Sequence, residues 1–186
     1  HLYRGLFAML KAPEERRQLI LTQREATHDK QKKITGNYGT FNTLAEKVKQ
    51  SNDLFLIIGP PGTGKTSYGL TCTLQEELTE PDTNILIASY TNRAVDEICS
   101  KLVELGIDFI RIGNPYSCEA DYQPYLLSEL ASHCTTLNEL KDKVEKTRVV
   151  VGTTTAFSAG TNLFKIKQFS LAIIDEASQI LEPHIL

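Results

Sequence analysis

The chain has 186 residues, 41% of them hydrophobic and 23% charged, with a formal net charge of −3. This composition suits one soluble globular domain with a small appendage. No apolar run approaches the roughly 20 residues of a membrane span, so no membrane partner is expected.

The charge is uneven. Residues 1–50 carry ten Lys/Arg against five Asp/Glu, and the rest of the chain is correspondingly acidic. Such a basic lead-in can touch nucleic-acid phosphates or serve as a solvated helical face. The four cysteines, Cys72, Cys99, Cys118 and Cys134, form no C-x-x-C pair. Cys72 and Cys99 fall in apolar-patterned helices, which predicts buried reduced thiols and a cytoplasmic setting. His28, His133 and His184 are too scattered for a zinc site. The first residues lack the basic region and cleavage site of a signal peptide. The only methionine is Met9, so a piece of a longer protein is expected.

In chain order, Leu2, Leu6, Phe7 and Leu10 predict a short helix over 2–11. Pro13 opens a second helix, with Glu14 and Glu15 at its positive end, running to about Arg24. Residues 26–39 are polar and Gly-punctuated, hence a loop. A capping box at Thr43–Glu46, with Thr40 as a competing cap, starts a helix ending near Gln50. Leu54–Ile58 has the length and composition of a buried parallel strand. It leads into Gly59-Pro60-Pro61-Gly62-Thr63-Gly64-Lys65-Thr66-Ser67 and a helix from Lys65 to about Leu78. Ile85–Ser89 is a second strand. A helix capped by Thr91 or Asn92 follows and is terminated by Gly106. Phe109–Ile112 is a third strand and 113–122 a loop. Two helices are predicted near 123–132 and 136–146. Arg148–Gly152 is a fourth strand, and Leu171–Ile174 a fifth, ending in Asp175-Glu176. Strands alternating with helices predict an α/β fold with a parallel sheet covered on both faces.

Residues 59–66 match G-x-x-x-x-G-K-[ST] at every fixed position. Gly59, Gly62 and Gly64 let backbone N–H groups face a phosphate chain. Lys65 brings a mobile charge to the β- and γ-phosphates, and the Thr66 hydroxyl is a hard ligand for Mg²⁺. The following helix points its positive end at the phosphates. The pattern specifies a nucleoside triphosphate, not the use made of it.

Asp175-Glu176 falls at the C-terminal end of a buried strand, where ligands bind in parallel sheets. Asp175 there can hold Mg²⁺, and Glu176 can orient and deprotonate an attacking water. Hydrolysis needs that carboxylate, whereas a small-molecule kinase has to keep water away. Ser89-Tyr90-Thr91-Asn92 and Thr153-Thr154-Thr155 also lie at strand ends. Their hydroxyls and amide can contact phosphates, and Tyr90 can stack on a base; helix capping is the competing role.

These motifs, GPPGTGKT, SYTNRAVDEI at 89–98, VVGTTTAF at 150–157 and IIDEASQ at 173–179, resemble the first motor domain of superfamily 1 helicases. The similar branch is that of the nonsense-mediated mRNA decay helicase and the Okazaki-fragment nuclease–helicase, over about residues 40–186. The resemblance implies a RecA-like P-loop fold, ATP with Mg²⁺, and translocation along single-stranded DNA or RNA, usually 5′→3′. It makes Ser89–Asn92 and Thr153–Thr155 strand-contacting loops. It makes 113–146 a helical insertion that need not touch catalysis, and 1–39 a lead-in to the motor at 40–186. Asn42 stands where the family places an adenine-reading glutamine, offering the same amide with a shorter reach.

The resemblance also implies a further sheet strand and a second RecA-like domain with an arginine finger beyond Leu186. The sheet is therefore expected to be incomplete at the C-terminus, with self-association through it as one consequence. The chain alone is expected to bind nucleotide weakly and hydrolyse it negligibly. The competing reading is a P-loop regulatory ATPase or nucleotide switch without a nucleic-acid motor.

Overall fold

The computed structural model describes residues 2–60, 62–159 and 162–181. Pro61, one of the expected phosphate-loop residues, lies outside them. The chain forms two compact units that divide between Asp82 and Thr83.

The first unit is helical. Helices α1 (Leu2–Lys11) and α2 (Glu14–Ile20) occupy the expected places. The second stops short of Arg24 because Thr22 turns into the left-handed region, at φ 55°. A 3-10 turn at Gly39–Phe41 leads into α3 (Asn42–Gln50). Its expected capping box does not form: Phe41 precedes the helix without a side-chain cap, and Glu46 pairs instead with Lys33 at 2.9 Å.

Leu54–Ile58 is not a strand. Leu54, Leu56 and Ile58 are exposed, and the segment pairs with no strand among the described residues. Composition makes a segment competent for a sheet, but the stabilising hydrogen bonds come from neighbours distant in sequence. The helix expected over 65–78 is divided, with a π-helical turn at Lys65–Leu70 running into α4 (Thr71–Glu77).

A buried carboxylate organises this unit. Glu76, on α4, is 1% exposed. It accepts hydrogen bonds from Thr35 N–H and Oγ1, Gly36 N–H, the Tyr38 hydroxyl and Lys49 Nζ of α3, at 2.7–3.1 Å. Burial pushes its pKa up, but these donors outweigh burial and bring it from 4.5 to about 2.

The second unit is the parallel α/β sheet. Its strands are β1 (Ile85–Ser89), β2 (Phe109–Ile112), β3 (Val149–Thr153) and β4 (Leu171–Ile174). They pair all-parallel in the order β2-β3-β1-β4, with Ile85 opposite both Val149 and Leu171. The expected strands from Ile85 onward are thus present, and among the described residues the sheet has four strands instead of five.

Side chains alternate between faces. Ile85, Ile87, Val149 and Val151 are buried on one face, which α5 (Asn92–Glu104) covers with Val95, Ile98 and Leu102. Ala88, Ile110, Ile112 and Val150 form the other face. They cluster with Val144 of α7 (Leu137–Lys146), Phe157 of α8 (Thr154–Ser158) and Leu163 of α9 (Leu163–Ile166). The insertion opens with two 3-10 turns and carries α6 (Leu127–Ser132) before α7. Gly152 is required by close approach: a Cβ there would lie 2.8 Å from the Ile112 carbonyl oxygen of the adjacent strand.

An ion pair sits inside this core. Arg111, central in β2 and 1% exposed, reaches Asp96 of α5 at 2.8 Å. Burial raises the Asp96 pKa, and the guanidinium pulls against that rise. Cys72, Cys99 and Cys118 are buried free thiols; burial pushes Cys99 up to about 12, leaving it inert.

Candidate functional site

The phosphate loop belongs to the helical unit. Asp53 anchors the chain that enters it, accepting from Arg24 Nη1 and Nη2 at 3.0 and 2.7 Å and from Thr27 N–H and Oγ1 at 2.8 and 2.7 Å. Arg24 and Thr27 together hold the Asp53 carboxyl well below the usual range.

Gly62 and Gly64 both adopt left-handed backbone, at φ 77° and 79°. A side chain at Gly64 would also meet the Tyr68 ring. The Gly64 carbonyl receives the N–H groups of both Tyr68 and Gly69, at 2.8 and 3.1 Å, which widens the first turn into a π-turn. Lys65 Nζ folds back on its own loop, donating to the Gly59 and Pro60 carbonyls at 2.6 and 2.9 Å. Thr63 Oγ1 donates to Pro60 O as well. An ammonium resting on two neutral carbonyls can exchange them for anionic phosphate oxygens, which bind it more strongly.

Gly59, Pro60, Thr63, Gly64 and Lys65 line a hollow of about 360 Å³ with Phe41 and Leu44. Phe41 stacks on Tyr68 at 5.1 Å. Asn42 does not line it. Its Oδ1 accepts the Tyr38 N–H at 2.5 Å and its Nδ2 donates to Asn37 Oδ1, so the amide is committed to the local turn. Thr66 and Ser67 follow Lys65 in the first turn, with Ser67 exposed.

The remaining candidates belong to the sheet unit. Because all four strands run parallel, their C-terminal ends share one edge. Asp175 follows β4, and its N–H still reaches Ala88 O at 2.8 Å, one rung beyond the strand. Glu176 follows with φ 53° and ψ 36°. A non-glycine residue in that region carries backbone strain. Its side chain is exposed while Asp175 is half-buried.

Ser89 is fully buried with its hydroxyl unpaired, whereas Tyr90, Thr91 and Asn92 are exposed. Thr91 Oγ1 accepts from Ala94 N–H at the start of α5, and Thr153 Oγ1 accepts from Ala156 N–H at the start of α8. These two hydroxyls act as caps. Thr153 and Thr154 are buried, and Thr155 reaches solvent. Asn92, Thr153 and Thr155 line one groove of about 740 Å³, together with Asn114, Ser117 and Ser128 of the insertion.

The sequence alone missed the insertion's share of that groove, and it missed Glu76 and the Asp96–Arg111 pair. Arg111 carried a signal: a charge inside the apolar run Phe109–Ile112 requires a buried partner.

A parallel α/β sheet whose ligand-capable residues gather at one edge, in a chain with a glycine-rich phosphate loop, defines a P-loop nucleotide-binding protein. A family model described as an AAA domain matches residues 26–146. The "DNA replication ATP-dependent helicase/nuclease DNA2" of Bos taurus is 36% identical over 139 residues, covering 74% of this chain and 13% of that protein. The Homo sapiens protein of that name is 35% identical over 139 residues, with the same coverage, and the Saccharomyces cerevisiae protein 34% over 140 residues, covering 74% of this chain and 9% of its own length. The chain belongs to this AAA domain family, in the superfamily 1 helicase branch to which these helicase/nucleases are similar. It spans about an eighth of the length of the first two relatives.

Proposed function

We propose that this chain is the ATP-binding part of an ATP-dependent helicase that couples hydrolysis to translocation along single-stranded nucleic acid. The observation carrying this reading is the shared carboxyl edge of the sheet, which gathers Asn92, Thr155 and the Asp175-Glu176 pair after three different strands. A switch without a motor has no need for the first two beside the last.

On this reading the N–H groups of residues 62–65 and the Lys65 ammonium bind the triphosphate. Thr66 would offer a hydroxyl and Asp175 a carboxylate as hard oxygen ligands for Mg²⁺, which would neutralise phosphate charge. Glu176 orients the attacking water and takes its proton. The αL backbone at Glu176 supports this role, since strain of that kind persists where geometry is functional. A second RecA-like domain of the parent protein supplies the opposite face of the site.

The test is steady-state ATP hydrolysis by the full-length protein, with and without single-stranded DNA or RNA and with and without Mg²⁺. Strand-stimulated, Mg²⁺-dependent hydrolysis is expected, abolished by Glu176→Gln with nucleotide binding retained. Nucleotide binding with no response to either strand would overturn the motor reading in favour of a nucleotide switch.

A further inference from the structure

The groove at the carboxyl edge contains no Lys, Arg, Asp or Glu among its described lining residues. Its described lining therefore offers no side-chain charge for neutralising a phosphate backbone, the usual source of affinity for nucleic acid. What remains is hydrogen bonding from hydroxyls and amides, and stacking on bases. The wall supplies the first through Asn92, Asn114, Ser117, Ser128 and Thr155.

The turn beside it offers the second through Tyr116, which is not itself a lining residue. Pro115 and Ser117 both line the groove, and Tyr116 between them is 98% exposed. The backbone beneath that ring is tied down. Asn114 Oδ1 accepts the Tyr116 N–H at 3.0 Å. The Ser117 N–H and Oγ both donate to Asn114 O at 3.1 Å. Gln123 Nε2 donates to Pro115 O at 3.3 Å. The turn thus holds a flat aromatic surface in water, attached to a fixed backbone, so little ordering is left to be done on binding.

We propose that Tyr116 is a stacking platform for a base of a single strand seated in this groove, a contact contributed by the helical insertion. The inference rests on the single-strand reading above. It assigns the insertion a direct part in strand binding, through a base and not through a phosphate.

The experiment is fluorescence anisotropy of labelled oligo-dT and oligo-U with the full chain, over a salt series. Tyr116→Ala is expected to weaken binding about 5- to 100-fold, the loss associated with one stacked base, and Tyr116→Phe to stay within about 2-fold of wild type. The slope of log affinity against log salt should not change, because a phenol displaces no counterions. An abasic strand should bind wild type and Tyr116→Ala equally. The urea midpoint of Tyr116→Ala should match wild type, since the ring buries nothing.

Wild-type binding with unchanged affinity in Tyr116→Ala would overturn the stacking role and leave the single-strand reading standing. An unchanged preference for wild type on abasic strands would also overturn stacking. Failure of wild type to bind any single strand would instead remove the single-strand reading, and this inference with it.

Discussion

Glu76 has no part in the chemistry proposed for this chain, yet much of the helical unit depends on it. Its carboxylate joins residues 35–38 to α3 and α4 through Thr35, Gly36, Tyr38 and Lys49. The Tyr38 hydroxyl is itself pushed upward by burial and by the Glu76 charge, so it stays protonated and donates. Removing one member of such a set leaves the others buried without a partner, which costs about 3–5 kcal/mol. Glu76→Ala should therefore lower the stability of the chain by that amount at pH 7, measured by urea unfolding followed by circular dichroism. The pH dependence has a definite sign. The folded pKa of Glu76 is depressed from 4.5 to about 2, so its contribution is complete above about pH 4.5. It is lost as pH falls through that window toward 2. The gap between wild type and Glu76→Ala should narrow between pH 5 and pH 3, and a gap of constant size would show that the ionised carboxylate is not what holds the cluster.

At the scale of elements, the helix α5 and the strand β2 are joined by the only fully core-placed ion pair among the described residues, Asp96–Arg111. Asp96 Oδ2 also receives the Glu119 N–H at 3.4 Å, so the pair reaches into the insertion. Asp96→Leu should cost about 3–5 kcal/mol, because it strands a buried guanidinium, whereas Asp96→Leu/Arg111→Met should recover most of that loss. Urea midpoints of the two single variants and the double variant test this, and strictly additive losses would refute the coupling. The same pair explains one limit of sequence reading. The strands β1 to β4 and the helix α5 with its Thr91 cap were legible, because alternation, capping and glycine termination are written within a few residues. The partner of Arg111 was not, since it lies fifteen residues away on another element. Leu54–Ile58 shows the opposite failure: five apolar residues read as a strand, but a strand exists only where another strand pairs with it. The helices α8 and α9 went unread because they are too short for a periodic signal, and Thr153 capping α8 was recognisable only as a member of a threonine run.

For the whole molecule, the phosphate loop and the strand groove lie in different units, and ligands should mark them separately. The phosphate loop lies in residues 2–82, and the groove with Tyr116 lies beyond Thr83. A ligand raises protection of the amides it orders, by about 100-fold in exchange rate when present at 100 times its Kd. Hydrogen exchange on the full chain should then show slowed amides over 59–70 with Mg²⁺ and a non-hydrolysable ATP analogue. With a single strand, the slowed amides should fall at 90–92, 113–117 and 153–158. Charge alone would direct the strand elsewhere, because ten of the chain's twenty Lys/Arg lie in residues 1–50 and the groove has none. The lead-in and the groove are therefore distinguishable sites for the strand. Slowed amides at 113–117 place the bases at the carboxyl edge, whereas slowed amides at 11–33 with none at 113–117 would make the basic lead-in the strand site. Salt sharpens the choice: protection at the groove should survive an increase in ionic strength that would strip a strand from the lead-in.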